Sequence, residues 1–578
     1  MKPIRCIPLL TFFPMTIAII MLAMPVFALE GQIGTHDPTT IMLCDGKYYA
    51  FGTGGRTHVS EDGWTWGSGP GTPNGGGMGP DMIHIGDYYY MYTAGNVGGQ
   101  PASRIVMQKT KSLNPESPDY GWEPMGVVNT TDGVEFCNGI DPGCFHDPTT
   151  GKFWLTFGSY FGNIRVVEMD PETGLRIDMD EYFDIAINCE ASTIIFHEGY
   201  YYLLATHGSC CRGTDSGYNI RTGRSRNVTG PYVDHTGVDM MQGGGKLVIG
   251  SGGRYVGAGH FGLIDEGDGV QKFSLHWEAD MDRGGSSVLD IRPLLWKDGW
   301  PVAGENFKEG TYEIESVRTG TAIELAVEGV PVGGGRGGRG GGGFGGNRGT
   351  RGAGTRGTRQ GAAPGGRGGA QGAVPGAGNF AGAIGGQDAA EGRRGGAGGF
   401  GTFGGRGGEN TGAARGGARR GIAGRGAGGG GGMFGGRGGG EPMPDQNAAD
   451  VLANWPEGNI DVRMANYMCQ AQQKWTVTPV ADAGGYLGAP YFKITIAGTD
   501  RALAVSEDGE LVALPAFTGG NEQLWRIDML TDGTWRIMPK FVSIAGDSLV
   551  ISAIGNSFAT LEKFDPDSDK QRWLFKAP

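Results

Sequence analysis

His36-Asp37-Pro38-Thr39-Thr40, followed by Asp45-Gly46-Lys47-Tyr48-Tyr49-Ala50-Phe51-Gly52, is the stretch that sets the architecture of this chain. An acidic residue opens it, a β-rich run follows, a Gly-centred turn reverses the chain, and an aromatic strand returns. The order recurs. Ile140-Asp141-Pro142 leads to Gly151-Lys152-Phe153-Trp154-Leu155-Thr156-Phe157, and Glu190-Ala191-Ser192 leads to Glu198-Gly199-Tyr200-Tyr201-Tyr202. A weaker copy runs from Gly79-Pro80-Asp81 to Gly86-Asp87-Tyr88-Tyr89-Tyr90. A fifth begins on a histidine, at Gly259-His260-Phe261, and returns through Phe273-Ser274-Leu275-His276-Trp277. β-Branched and aromatic runs bounded by Gly, Asp and Asn read as short strands. Starts roughly 45 to 70 residues apart are blade-sized. Five such units predict an all-β fold, a five-bladed β-propeller over residues 30–305 whose copies converge on a central pocket.

The chain's 578 residues exceed one core, so further domains are expected. Lys2 and Arg5 precede an apolar run from Ile7 to Phe27, and Val26-Phe27-Ala28 offers a cleavage site. Residues 1–28 therefore read as a signal peptide, with an uncleaved anchor as the alternative, since the run is near spanning length. No later stretch is apolar enough to cross a bilayer. The expectation is a secreted protein, extracellular or periplasmic, without stable membrane insertion. The net charge of -13 includes an Arg-rich segment over 333–441, so the flanking parts are more acidic than the total. That balance disfavours nucleic acid or a polyanionic pectin backbone as partner and suits neutral sugars. Eight cysteines, with Cys6 in the leader, leave an odd number and no zinc spacing. Adjacent Cys210 and Cys211 are poorly placed to pair with each other. Most cysteines read as small buried hydrophobes, and one disulfide in an oxidising compartment is the alternative.

Residues 333–445 are largely glycine with scattered Arg, Ala and Gln. Such a segment buries too little apolar surface to offset its ordering entropy, and is expected to be disordered. Beyond it, Gln473-Lys474-Trp475, Gln523-Leu524-Trp525 and Gln571-Arg572-Trp573 recur at near-equal spacing. This pattern resembles the ricin-type β-trefoil, in which each Gln-x-Trp closes one of three lobes and the Trp packs in a shared core. Lobe one starts before the Gly-rich run, within 308–332 at Gly310-Thr311-Tyr312-Glu313-Ile314, and resumes at Asn459-Ile460-Asp461-Val462-Arg463. The run is then a loop insertion inside lobe one, with 446–578 completing the domain. Loop-closure cost grows only logarithmically, so a surface loop tolerates it.

The acidic starts carry the chemistry. Cleaving a glycosidic bond needs a protonated carboxyl beside the leaving oxygen and a second carboxylate acting on water or on the sugar. Asp37, Asp141 and Glu190 supply these if the blades bring them together. Glu190, with the longer reach and higher intrinsic pKa, is the natural acid, and Asp37 the base. Asp141, a third carboxylate near the acid, would raise its pKa. His146-Asp147-Pro148-Thr149-Thr150 repeats the first five residues quoted above, yet Asp147 falls at the turn and away from the axis. Asp81 reads as structural or pocket-lining, and the Tyr pairs as blade core.

Residues from about Gly34 to Val302 resemble glycoside hydrolase family 43, particularly its endo-1,5-α-L-arabinanases. The resemblance runs through His36-Asp37-Pro38, Ile140-Asp141-Pro142, Phe157-Gly158-Ser159-Tyr160-Phe161-Gly162 and Glu190-Ala191. It is densest over Gly208-Ser209-Cys210-Cys211-Arg212-Gly213 and Tyr218-Asn219-Ile220-Arg221. It implies Asp37 as general base, Asp141 as pKa modulator, Glu190 as general acid and an inverting mechanism. It also implies a hydrated calcium ion, Ca2+, near the pocket at His260. Three positions depart from the family pattern: Ser192 replaces a proline, Met78-Gly79 replaces Trp-Ala, and Phe261 replaces an asparagine. The function expected is hydrolysis of α-1,5-linked arabinan or arabino-oligosaccharides, a plant-type glycan. Two alternatives stand beside it: an exo-acting α-L-arabinofuranosidase, β-xylosidase or galactan hydrolase of the family, and a noncatalytic glycan-binding protein.

Overall fold

The computed structural model of the protein describes residues 29–72, 76–95, 101–327, 455–540 and 548–578. The expected leader and the whole Gly/Arg-rich insertion over 333–445 lie outside the described residues. Five sheets follow one another from Glu30 to Ala303, each a blade of four antiparallel strands in chain order, and in blade one Glu30–Gly31 adds a fifth strand parallel to Thr65–Ser68. Their first strands are Met42–Cys44, Met78–Ile85, Gly143–His146, Glu190–His197 and Tyr255–Asp265. The five-bladed propeller is as the sequence predicts. The segment before blade one also closes the ring: Leu289 N–H donates to the Ile33 carbonyl (2.8 Å) and Ser287 Oγ to that of Thr35 (2.5 Å).

The aromatic strands that follow each turn supply the inter-blade cores. Tyr49, Tyr90, Tyr92, Phe153 and Tyr202 are buried, as expected of alternating strand faces wedged between neighbouring sheets. Asp81 is a structural tie. Its two oxygens accept the Thr40 N–H (3.0 Å) and the Cys144 N–H (2.8 Å), linking blades one, two and three. Asp147 holds its own turn: Thr149, Thr150 and Tyr201 all donate to it. Phe261, one of the departures noted above, lies in the blade core stacked on Phe273 (4.8 Å) and does not alter the pocket.

One sheet of twelve strands follows the propeller, running from Gly310 to Lys576. Six of its strands pair in a closed ring, in the order Gly310–Ser316, Trp475–Pro479, Phe492–Ile496, Trp525–Met529, Trp535–Pro539 and Trp573–Lys576. Three hairpins cap it; in the first, Ala322–Leu325 before the Gly-rich run pairs with Ile460–Ala465 after it. Trp475, Trp525 and Trp573 are each fully buried. Each indole N–H donates to a hairpin carbonyl, of Ile323, Leu503 and Ile551 respectively (2.8–3.0 Å). Gln473, Gln523 and Gln571 repeat one bonding pattern, bridging a carbonyl and an N–H of the preceding loop.

This domain docks on the propeller face remote from the starts of the blades. Leu487 enters the propeller core beside Gly63, Asp62 accepts the Gly485 N–H (2.9 Å), and Trp296 N–H donates to the Thr531 carbonyl (2.9 Å). A buried charge network completes the interface. Lys272 of blade five reaches the Leu487 carbonyl (2.5 Å) and Asp528 (3.2 Å). Asp528 also accepts from Arg526 (2.6 Å) and Arg536 (3.0 Å), which reach back to Glu266 and Asp268.

Candidate active site

Every blade enters the axis through one residue with left-handed backbone: Asp37 (φ 49°), Gly79 (50°), Asp141 (51°), Ala191 (48°) and His260 (59°). In blades two, four and five this residue sits within a bulge that interrupts the first strand's pairing, a device that re-aims a side chain. The sequence reading set Glu190 in phase with Asp37 and Asp141. The structure corrects that: Ala191 occupies the equivalent place, and Glu190 stands one residue earlier, opposite Thr206. The longer glutamate side chain spans the offset and reaches the same pocket.

Contacts around the axis bring the three carboxylates together. Thr53 Oγ1 donates to Asp37 Oδ2 (2.7 Å) and accepts the Gly79 N–H (2.9 Å). Gly79 lies against Asp141, and a Cβ at that position would be 1.9 Å from Asp141 Oδ1, so a larger residue there would require the Asp141 carboxyl to shift. The Ala191 N–H bonds the Asp141 carboxyl. His260 N–H donates to Thr206 Oγ1 (3.0 Å), while its Nδ1 lies 3.5 Å from Asp37 Oδ1. Tyr218, just before the strand Asn219–Ser225 of blade four, donates its hydroxyl to Glu190 Oε1.

Four residues of this cluster were not among the sequence candidates. His36 bridges Asp37 Oδ2 (2.8 Å) and Glu278 Oε1 (2.9 Å). Glu278 in turn accepts the Cys211 N–H (3.0 Å). His276 Nδ1 accepts the Asp37 N–H (3.2 Å), so its proton sits on Nε2. Tyr218 is the fourth. A signal for one pair was present: His276 and Glu278 are two residues apart on a strand and share a face. Cys210 and Cys211 form a disulfide at this rim, against the expectation that adjacent cysteines would not pair. Cys44, Cys137 and Cys189 are buried thiols, as expected, and Cys469 is exposed.

The electrostatics separate the carboxylates. Burial pushes Asp37 upward, but the nearby His260 ring and the hydrogen bond and positive charge of His36 outweigh it, holding Asp37 well below the carboxylate range. Burial also lowers His36, yet the bonds and charges of Asp37 and Glu278 raise it to about 10, so it is a cation. Burial pushes Glu190 up to about 7, the charge of Asp37 adds to this, and the Tyr218 bond opposes it. Asp141 is raised well above its ordinary value, first by burial and then by Glu190 and Asp37. Asp141 and Glu190 are thus both pushed upward by burial and by the charge of Asp37, and the two act on each other. One ionised carboxylate faces one protonated carboxyl, the complement that acid–base chemistry at a glycosidic bond requires.

Among the described residues, the donors of His36, Asp37 and His276 lie within 4.8 Å of one another, close enough to hold a metal ion; His36 and Glu278 also converge on Cys210 and Cys211, but these sulfurs are tied up in the disulfide and are not thiolate donors. His260 Nδ1 is buried without a hydrogen-bond partner, a site that water or a hydrated ion would satisfy. The donors nearby are rich in imidazole, whereas calcium takes six to eight oxygens, so a calcium ion here would draw most of its ligands from water.

Residues 35–301 match the family described as Glycosyl hydrolases family 43. The chain is 34% identical over 308 residues to the extracellular exo-α-(1→5)-L-arabinofuranosidase of Cellvibrio japonicus, covering 47% of this chain and 87% of that one. It is 30% identical over 294 residues to the extracellular endo-α-(1→5)-L-arabinanase 1 of Bacillus subtilis, covering 46% and 86%. Among solved structures, the α-L-arabinanase of Cellvibrio cellulosa complexed with arabinohexaose aligns at 31% identity and a TM-score of 0.45, covering 47% of this chain and 96% of that one.

Proposed function

Because the chain belongs to glycosyl hydrolase family 43, we propose that this glycoside hydrolase cleaves α-1,5-linked arabinan or arabino-oligosaccharides with inversion, outside the cell. In this reading Glu190 protonates the leaving oxygen, Asp37 takes a proton from the attacking water, and Asp141 tunes the pKa of Glu190. One observation carries it: the pocket holds Asp37 ionised beside a Glu190 whose pKa is about 7. His36, clamped between Asp37 and Glu278, fixes the base's carboxylate, and Tyr218 does the same for the acid. The predicted leader and the extracellular relatives support export; N-terminal sequencing of the secreted protein should begin after Ala28. No helix of the described residues is long and apolar enough to cross a membrane.

A calcium ion beside His260 belongs to the same reading, supported by that residue's unpartnered Nδ1. When bound, it would add positive charge beside Asp37. Elemental analysis of the purified protein that returns no cation would remove it. The ring-and-hairpin domain we read as a ricin-type β-trefoil interrupted in lobe one by the Gly/Arg-rich segment. Its six-strand ring, three capping hairpins and three equivalent Gln-x-Trp units support that reading, and an experimental structure lacking pseudo-threefold symmetry there would refute it.

Chromatography of early products from debranched arabinan tests the activity. A ladder of oligosaccharides is the endo outcome, and one short product from chain ends is the exo alternative, favoured also by rapid release from an aryl arabinofuranoside. Folded protein that releases nothing from any pentosan or galactan would sink the enzymatic reading and leave the glycan-binding one.

A further inference from the structure

A continuous track leads away from Glu190 across blade three. Glu190 is paired with Thr206, whose carbonyl accepts the hydroxyl of Tyr160 (3.2 Å). Tyr160 and its neighbour Phe161 are 42% and 46% exposed, two adjacent rings that form an apolar patch beside the pocket. Their loop is fastened to the segment between blades two and three. Asn163 N–H donates to the Phe136 carbonyl (2.6 Å), Gly158 N–H to that of Ile140 (2.9 Å), and Ser159 Oγ to Asn138 Oδ1 (2.9 Å). At Gly162 the two backbones touch, and a Cβ there would fall 2.2 Å from the Phe136 carbonyl carbon. The exposed rings therefore stand on a fixed backbone.

The track opens into a groove of about 600 Å³, lined among others by Phe136, Asn163, Arg165 and Tyr182. That volume is in the range of small-ligand sites, roughly 300–1,000 Å³. Phe136 is 77% exposed. Tyr182 presents its ring beneath the Arg165 guanidinium, 3.9 Å from the ring centroid. Arg165 is paired with Asp184 (2.9 Å) and Glu135 (3.1 Å), and Arg176, the other cation of the lining, is turned onto Asn129 Oδ1 and the carbonyls of Asp178 and Glu181; with Glu135, Asp180 and Asp184 beside these two guanidiniums, the charge of the groove does not favour a polyanion. Rings for sugar faces, with paired polar groups for hydroxyls, match a neutral glycan.

We propose that this groove, between blades two and three, is a distal subsite that holds the neutral pentose chain several residues from the bond being cleaved. The inference rests on the arabinan reading above. It makes recognition depend on chain length: a trisaccharide fills the pocket, and only a longer chain reaches Phe136 and Tyr182.

The test compares kcat/KM for debranched arabinan with that for arabinotriose in the full-length wild type, Phe136→Ala and Tyr182→Ala. Both rings are exposed, so neither truncation should unfold the protein, which circular dichroism checks. The polymer-to-trisaccharide ratio is expected to fall roughly 10-fold in each variant, about the size of one stacked ring. A ratio equal to that of wild type in both variants overturns the subsite while leaving the arabinan reading intact. A wild-type protein inactive on both substrates overturns the two together.

Discussion

Glu190→Gln is expected to lower kcat on arabinan about 10²- to 10⁴-fold, the range of a single general acid or base, with the fold unchanged. Asp37→Asn should cost at least as much. The two losses differ in kind, and a change of leaving group separates them. An aryl arabinofuranoside with an acidic phenol departs with little protonation, so the Glu190→Gln deficit should shrink there while the Asp37→Asn deficit persists. The pH dependence follows from the same pocket. Glu190 acts while protonated, so wild-type kcat/KM should fall as pH rises through about 7. Asp37 acts while ionised, and its depressed pKa places the acid limb below the ordinary carboxylate range. In Glu190→Gln the alkaline limb near 7 should vanish. A limb that persists there would assign it to another group.

Asp528→Asn is expected to be the most damaging single change to stability. Asp528 is buried and accepts from Lys272, Arg526 and Arg536, two of which are themselves almost fully buried. Neutralising it leaves cations uncompensated in an interior of low polarity, a loss of about 3–5 kcal/mol. Because Lys272 belongs to the propeller and Asp528 to the following domain, the loss should loosen their docking as well. Urea denaturation followed by intrinsic fluorescence reads the stability, and limited proteolysis reads the docking. Activity per folded molecule should survive, since the network lies on the face remote from Asp37. A stability change under 1 kcal/mol would show that the network is dispensable.

Much of this was legible from the repeats. Gly-centred turns and aromatic strands specify blades because their periodicity and turn chemistry are local. Asp147 and Asp81 were separable from the axial residues by their place in the unit. The one-residue offset of Glu190 was not legible. Acidity marks Asp37, Asp141 and Glu190 alike, whereas the shared feature in space is a left-handed backbone at Asp37, Gly79, Asp141, Ala191 and His260. Backbone handedness at Asp, Ala and His leaves no compositional trace. His36 and Glu278 were hidden for another reason: they are 242 residues apart in sequence, and only ring closure sets them side by side, while Tyr218 meets Glu190 through strand pairing within blade four. Two of the departures from the family pattern have a defined place in the fold. Phe261 faces the core, and Gly79 is the residue that lets Asp141 approach the axis.

Proton NMR of debranched arabinan, recorded from the first seconds after adding the wild-type protein, tests the central claim most directly. Inversion at an α-linked arabinofuranosyl centre by Asp37-activated water predicts that the β-anomer appears first and the α-anomer only later, by mutarotation. Immediate α-anomer would contradict the account, because it requires a covalent glycosyl intermediate in place of the water that Asp37 is assigned to activate.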